Sequence, residues 1–144
     1  MGYRSTICDE LSKALKTDLD GDTYTTNLFE NVFPNKMKFY NEVTDYPSVF
    51  ITAGREVREY LPGAFKWGVI TVTIRVYVKS DQSIEDLEQI LADIEKVVDA
   101  NNELSLGGSK KTELISIVNI DTDEGLLHPF GVGEMTLQVQ SEIE

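Results

Sequence analysis

The longest unbroken alternation in the chain runs from Ile70 to Val78. Ile70, Val72, Ile74, Val76 and Val78 fall on one side, and Thr71, Thr73, Arg75 and Tyr77 on the other. A period of two predicts a strand with one buried and one half-wet face. Upstream, Val49, Ile51 and Ala53 alternate in the same way. Between the two arms, Leu61-Pro62-Gly63-Ala64 has Pro and Gly in the central positions that a type II turn favours. The run Ser48 to Ser80 is therefore expected to be one long β-hairpin. Pairing Leu61 with Ala64 sets Val49, Ile51 and Ala53 opposite Val76, Ile74 and Val72, so the apolar faces coincide. A slip of one residue would put them on opposite sides. The same register sets Glu59 against Lys66, an opposite-charge pair. Two-residue hairpins prefer turns of the opposite twist, so a longer loop at the tip is the alternative.

Helical spacing governs two other segments. From Tyr3 to Thr17, Ile7, Leu11, Ala14 and Leu15 share a face, with Cys8 one residue off it, a small and partly buried filler. That helix ends before the breaker cluster Asp20-Gly21-Asp22. From Ile84 to Val98, Ile84, Leu87, Ile90, Leu91, Ile94, Val97 and Val98 keep the spacing throughout, and Ser83 with Asp86 resembles a capping box. Asn27 to Phe33 suits a short strand closed by Pro34. Asn101 to Lys111 reads as a polar loop, and Glu113 to Asp121 and Gly133 to Ile143 as two further strands. The expected fold is a single α+β domain over residues 1–144. It has a largely antiparallel sheet of four to five strands, with two helices packed on one face.

Length gives the hairpin its meaning. An arm of about 13 residues, Trp67 to Lys79, is about 40 Å long, whereas a compact domain of this size has a radius of gyration of about 15 Å. The tip is expected to project and to expose Tyr60, Leu61, Phe65 and Trp67. A neighbouring subunit is the natural cover for such a patch.

Composition narrows the partners. The 144 residues are 41% hydrophobic and 26% charged, within the range of globular domains. No stretch is long enough to cross a membrane and no apolar leader is recognisable, so a cytoplasmic site of synthesis is expected. One cysteine leaves no internal disulfide and no multi-cysteine metal site. The net charge of -12 argues against tight nucleic-acid binding, which needs clustered cations, and Lys110-Lys111 is too small a cluster. An acidic surface is most simply a soluble one; the sharper reading is a wall that DNA can pass without sticking.

Residues that could carry chemistry are few. His128 precedes Pro129 in a loop with no catalytic motif. Asp18 to Asp22 fails as a calcium loop, because aligning Gly21 with the sixth position puts Lys16 first and Asn27 twelfth. Asp121, Asp123 and Glu124 read as a solvated turn, with weak divalent binding as the alternative. Gly107 to Thr112 superficially resembles a phosphate loop, but it lacks the first glycine and precedes a strand. Arg55, Glu56, Arg58 and Glu59 are either anti-aggregation charges on a strand edge or a polar rim around an aromatic contact.

The order of elements is similar to a known family. The N-terminal helix, Tyr46-Pro47-Ser48-Val49-Phe50-Ile51, the long hairpin, the Ile84 to Val98 helix and a final strand pair with Gly131-Val132-Gly133-Glu134-Met135-Thr136-Leu137-Gln138-Val139 together resemble phage tail terminator proteins. The resemblance covers most of the chain. It implies a structural virion protein with no catalysis and no cofactor. Such a protein forms a ring, usually six-fold, that caps the tail tube, stops its elongation and offers a docking surface to the head. The implied partners are further copies of itself, the tail-tube protein and a head-completion or neck protein, with DNA passing through the lumen unbound and no membrane involved. The implied location is the head-proximal end of the tail, after assembly in the host cytoplasm. Arg55, Arg58, Glu59, Tyr60, Leu61, Phe65, Trp67 and Arg75 are the candidate subunit contacts. The alternatives are a neck or head-completion protein of similar fold and, from a different class, an acidic module that mimics DNA.

Overall fold

The computed structural model describes residues 3–22, 24–63, 65–101, 103–107 and 110–143. In chain order the elements are α1 (Tyr3–Asp18), β1 (Val32–Pro34), β2 (Ser48–Leu61), β3 (Phe65–Lys79), α2 (Ser83–Ala100), β4 (Ser105–Gly107), β5 (Lys110–Thr122) and β6 (Phe130–Ile143). They make one curled sheet in the order β1-β2-β3-β6-β5-β4. The α+β class holds, but the sheet has six strands rather than four to five, and it is mixed because β1 runs parallel to β2. The parallel pair arises because residues 35–47 cross over the sheet face remote from the helices. There Met37, Val43 and Tyr46 pack with Phe33, Phe50, Tyr77 and Val132. Pro34 lies inside β1, which an edge strand tolerates. The expected polar loop contains β4, anchored by buried Leu104 and by Leu106 against the core.

The main core lies between the helices and the sheet. Ile7, Leu11 and Leu15 from α1 and Leu87, Leu91, Ile94 and Val98 from α2 pack over Ile70, Val72, Ile74 and Val76 of β3 and Met135, Leu137 and Val139 of β6. Each such side chain contributes roughly 1.5–3 kcal/mol on burial. Cys8 is fully buried here, deeper than its offset from the apolar stripe suggested. α2 approaches β6 closely: a Cβ on Gly133 would sit 2.9 Å from Leu87 Cδ1, and one on Gly131 3.1 Å from the Ser83 carbonyl oxygen. Ile84, expected on the buried stripe, is exposed at the start of α2. The helix entry also differs from the expected box. Ser80 Oγ donates to Asp86 Oδ2 at 2.6 Å and accepts from Gln82 N at 3.2 Å, while Ser83 Oγ meets His128 Nδ1 at 3.3 Å.

Candidate assembly interface

The hairpin forms in the expected register only along its base. Val49 faces Val76, Ile51 faces Ile74 and Ala53 faces Val72, but Glu56 then faces Ile70, one residue out of step. The extra residue is accommodated at Gly54-Arg55, a bulge of the kind glycine favours within a strand. It shifts the tip pairings to Glu59 with Trp67, Tyr60 with Lys66 and Leu61 with Phe65, so Glu59 does not pair with Lys66 and the tip is a three-residue loop. Ala64, the expected partner of Leu61, lies outside the described residues. Arg4 of α1 holds the bulge. Its Nη2 donates to the Ala53 oxygen at 3.3 Å and to the Gly54 oxygen, and its Nη1 reaches Glu56 Oε1 at 3.4 Å.

The bulge exchanges the faces of β2. Before it, odd-numbered residues point at the helices; after it, Val57, Glu59 and Leu61 share the open face with Trp67 and Val69. Without the extra residue Val57 would stay on the helix side. Nor is the arm a free two-stranded hairpin, because β6 accompanies β3 from Lys79 opposite Phe130 to Lys66 opposite Ile143.

The candidate contact residues separate into two places. Tyr60 is 68% exposed, with Lys66 Nζ 5.7 Å from its ring centroid, and Leu61 is exposed on the opposite face. Trp67 is half-buried between Glu59 and Glu142. For Phe65 only the backbone is described, paired with Leu61. Arg55 is exposed at the bulge, Glu59 is exposed beside Tyr60, and Arg58 is ion-paired with Glu56. Arg75 stands apart, about 26 Å along the strand from Trp67. Its Nε and Nη2 fork onto Glu134 Oε2 at 3.1 and 2.6 Å. Burial pulls its pKa down, but bonds to Glu134 and Tyr77 more than offset this and hold it above the ordinary value.

Residues 1–143 match the family described as Bacteriophage Tail Tube Terminator Protein. Tail tube terminator protein p142 of Escherichia phage T5 is 33% identical over 153 residues, covering 97% of this chain and 94% of that one. The chain belongs to the tail tube terminator family. Its role is accordingly that of a structural tail protein of the virion. A chain from the virion of a native gene transfer agent particle shares the fold, with a TM-score of 0.59 at 13% identity over 99% of this chain and 100% of that one.

In this terminator-family chain the other candidates resolve into local structure. Asp123 accepts from Leu127 N at 3.0 Å and Val132 N at 3.2 Å, so its carboxylate organises the β5–β6 turn. Asp121 accepts from Asn119 Nδ2 at 2.8 Å. Asp20 Oδ1 caps the backbone N–H of Asp22. Of the glycine-lysine segment, Gly108 and Ser109 lie outside the described residues. Among the described residues no helix is long and apolar enough to cross a membrane. Sequence reasoning missed Arg4 and the outer edge of β5, where Leu114, Val118 and Ile120 are exposed. The signals were present: a glycine inside a strand pattern, and the uncharged run Leu114 to Ile120 in a chain that is 26% charged.

Proposed function

We propose that this terminator-family protein closes into a ring, six-fold by family habit, on the end of the tail tube, where it stops subunit addition and presents the surface to which the head docks. The family match over residues 1–143 carries the reading. Several features of the fold support it. A cap needs two unlike ends. Here one end of the long sheet carries Tyr60, Leu61 and Trp67, while the other carries exposed Ile84 and Leu126 beside acidic Asp81 and Glu85. Closed rings join one patch to a different patch on the next copy. Arg55, Arg58, Glu59, Tyr60, Leu61, Phe65 and Trp67 serve as the arm's side of that contact. Arg75, neutralised by Glu134, lies on the open sheet face.

Passage of DNA through the ring fits the charge. On the β5 side of Arg75 the open face carries Thr71, Thr73, Ser116, Thr136 and Gln138, hydroxyl and amide groups beside one ion pair, while residues 35–47 cover Phe50 and Tyr77 on its other side. With a net charge of -12 on the chain, such a wall gives phosphates no row of cations to hold. The tube protein and a head-completion protein are the partners at the two ends. Native mass spectrometry of the protein, free and after mixing with purified tail tubes, tests the reading. A discrete ring, free or released from tube ends, is expected; a protein that stays monomeric in both settings contradicts it. Trp67→Ala with Leu61→Asp is expected to weaken self-association while leaving the fold intact, read by circular dichroism and light scattering together.

A further inference from the structure

The two outer edges of the sheet are capped at opposite heights. On β2, the cap β1 covers Val49 to Ile51, and Arg4 of α1 then takes the Ala53 and Gly54 carbonyl oxygens, so the edge is open from Arg55 on. On β5, the cap β4 covers Lys110 and Lys111 and stops there. The uncovered lengths occupy the same rows of the sheet. Val57, Val69, Gln140 and Leu114 form one continuous cross-strand row, and Thr52, Thr73, Thr136 and Asn119 another. The β5 window spans the rows between these two, and the β2 window the part next to Val57. Most of the exposed large apolar side chains among the described residues lie on these two strands, including Val57 at 54%, Leu114 at 43% and Val118 at 51%. Leu114 to Ile120 contains no charge, although soluble proteins normally protect an exposed edge with charged side chains.

We infer that the open edge of β2 from Arg55 to Arg58 docks along the open edge of β5 from Leu114 to Asn119 on a second copy of this chain. The inference rests on the ring reading and names its contact surfaces. Two open edges in shared rows of one chain point to a second copy as the occupant, and strand direction agrees. Within one chain β2, β3, β6 and β5 alternate direction, so β5 runs opposite to β2. Rotation about a ring axis roughly along the strands preserves each strand's direction. The β2 of the next copy therefore meets β5 antiparallel, the direction in which β2 already pairs with β3 and β5 with β6. In this arrangement each copy uses β2 on one side and β5 on the other, a head-to-tail contact that removes both edges when the ring closes. Val57 and Leu114, at the two ends of one row and on one face, meet across the junction. The bulge at Gly54-Arg55 is what turns Val57 to that face.

Disulfide trapping tests the contact. Buried Cys8, its thiol pushed up to about 11 chiefly by burial, leaves a silent background. Val57→Cys is combined in turn with Leu114→Cys, Val118→Cys and Ile120→Cys to allow for stagger between copies, and each pair is oxidised, both free and on tail tubes. The expected result is a ladder of covalent oligomers, strongest for one pair, with none from Val57→Cys alone. A discrete oligomer by native mass spectrometry that gives no ladder with any pair overturns the edge contact and leaves the ring standing. A covalent dimer from Val57→Cys alone also overturns it, because it reports arm against arm. Absence of any oligomer, free or on tubes, removes the ring and the contact together.

Discussion

At the scale of residues, two buried polar groups matter most for stability. Asp93, 2% exposed on α2, accepts from Thr26 N at 3.2 Å, Thr26 Oγ1 at 2.5 Å and Gln89 Nε2 at 3.1 Å, tying the segment after α1 to α2. Asp93→Ala orphans the buried Thr26 donors. The expected cost is about 2–3 kcal/mol, seen as a Tm lower by roughly 5–10 °C. Cys8 provides the second test. Burial, with a smaller push from Asp9 and an opposing pull from Arg4, raises its pKa from 9.0 to about 11. The unfolded thiol ionises first as pH rises, so the stability held by the neutral buried thiol is full below pH 9 and is lost on the way to about 11. Denaturant titrations between pH 8 and 11 are expected to show this decline, and a shallower one in Cys8→Ala. A thiol reagent at pH 8 is expected to label Cys8 only after unfolding.

At the scale of elements, glycines mark where backbone meets side chain. Gly133→Val pushes a side chain into Leu87 and Leu91 and is expected to cost about 2 kcal/mol or more. Gly54→Ala is expected to be mild, because its Cβ would meet only the Thr71 oxygen at 3.6 Å. Chemical denaturation of the two variants side by side checks the contrast. Arg4→Ala releases the bulge carbonyls and Glu56, so faster amide exchange in Arg55 to Leu61 is expected, with the exchange of β6 unchanged. Much of this level was legible in the sequence. The alternation of Ile70 to Val78 against Val49, Ile51 and Ala53 fixed the base of the hairpin, and helical spacing located both helices. Gly54 inside a strand pattern was the one signal for the bulge, but the alternation alone did not show it, because an extra residue leaves it intact on either side and merely exchanges its faces. The strand expected over Asn27 to Phe33 forms only at Val32–Pro34, and β4, also three residues, is too short for any periodicity to register. The parallel pairing of β1 depends on where residues 35–47 cross the sheet, which no local pattern encodes. Of the candidate contacts, the exposed tip was readable from aromatic content beside turn residues. The partner of Arg75 within the chain, Glu134, was not readable because it comes from a strand 59 residues away in sequence.

At the scale of the whole molecule, the sheet links the two proposed roles. β3, β6 and the distal part of β2 form a slab from the Lys79–Phe130 end to the Lys66–Ile143 end, with both helices on one face and, on the other, a polar middle between the residue 35–47 crossover and the Trp67 end. Such a slab can join copies through its edges, meet the tube and the head at its two ends, and leave the polar middle of its other face open. Termination then requires no chemistry, only a ring whose far end does not template another layer of tube protein. Tube growth tests that claim most directly. Tube subunits are polymerised with and without this protein, and lengths are measured by electron microscopy after a fixed time and again after more subunits are added. The account predicts that capped tubes keep their length on the second addition and carry a ring at one end. Continued growth at the uncapped rate, with the protein present and folded, would contradict it.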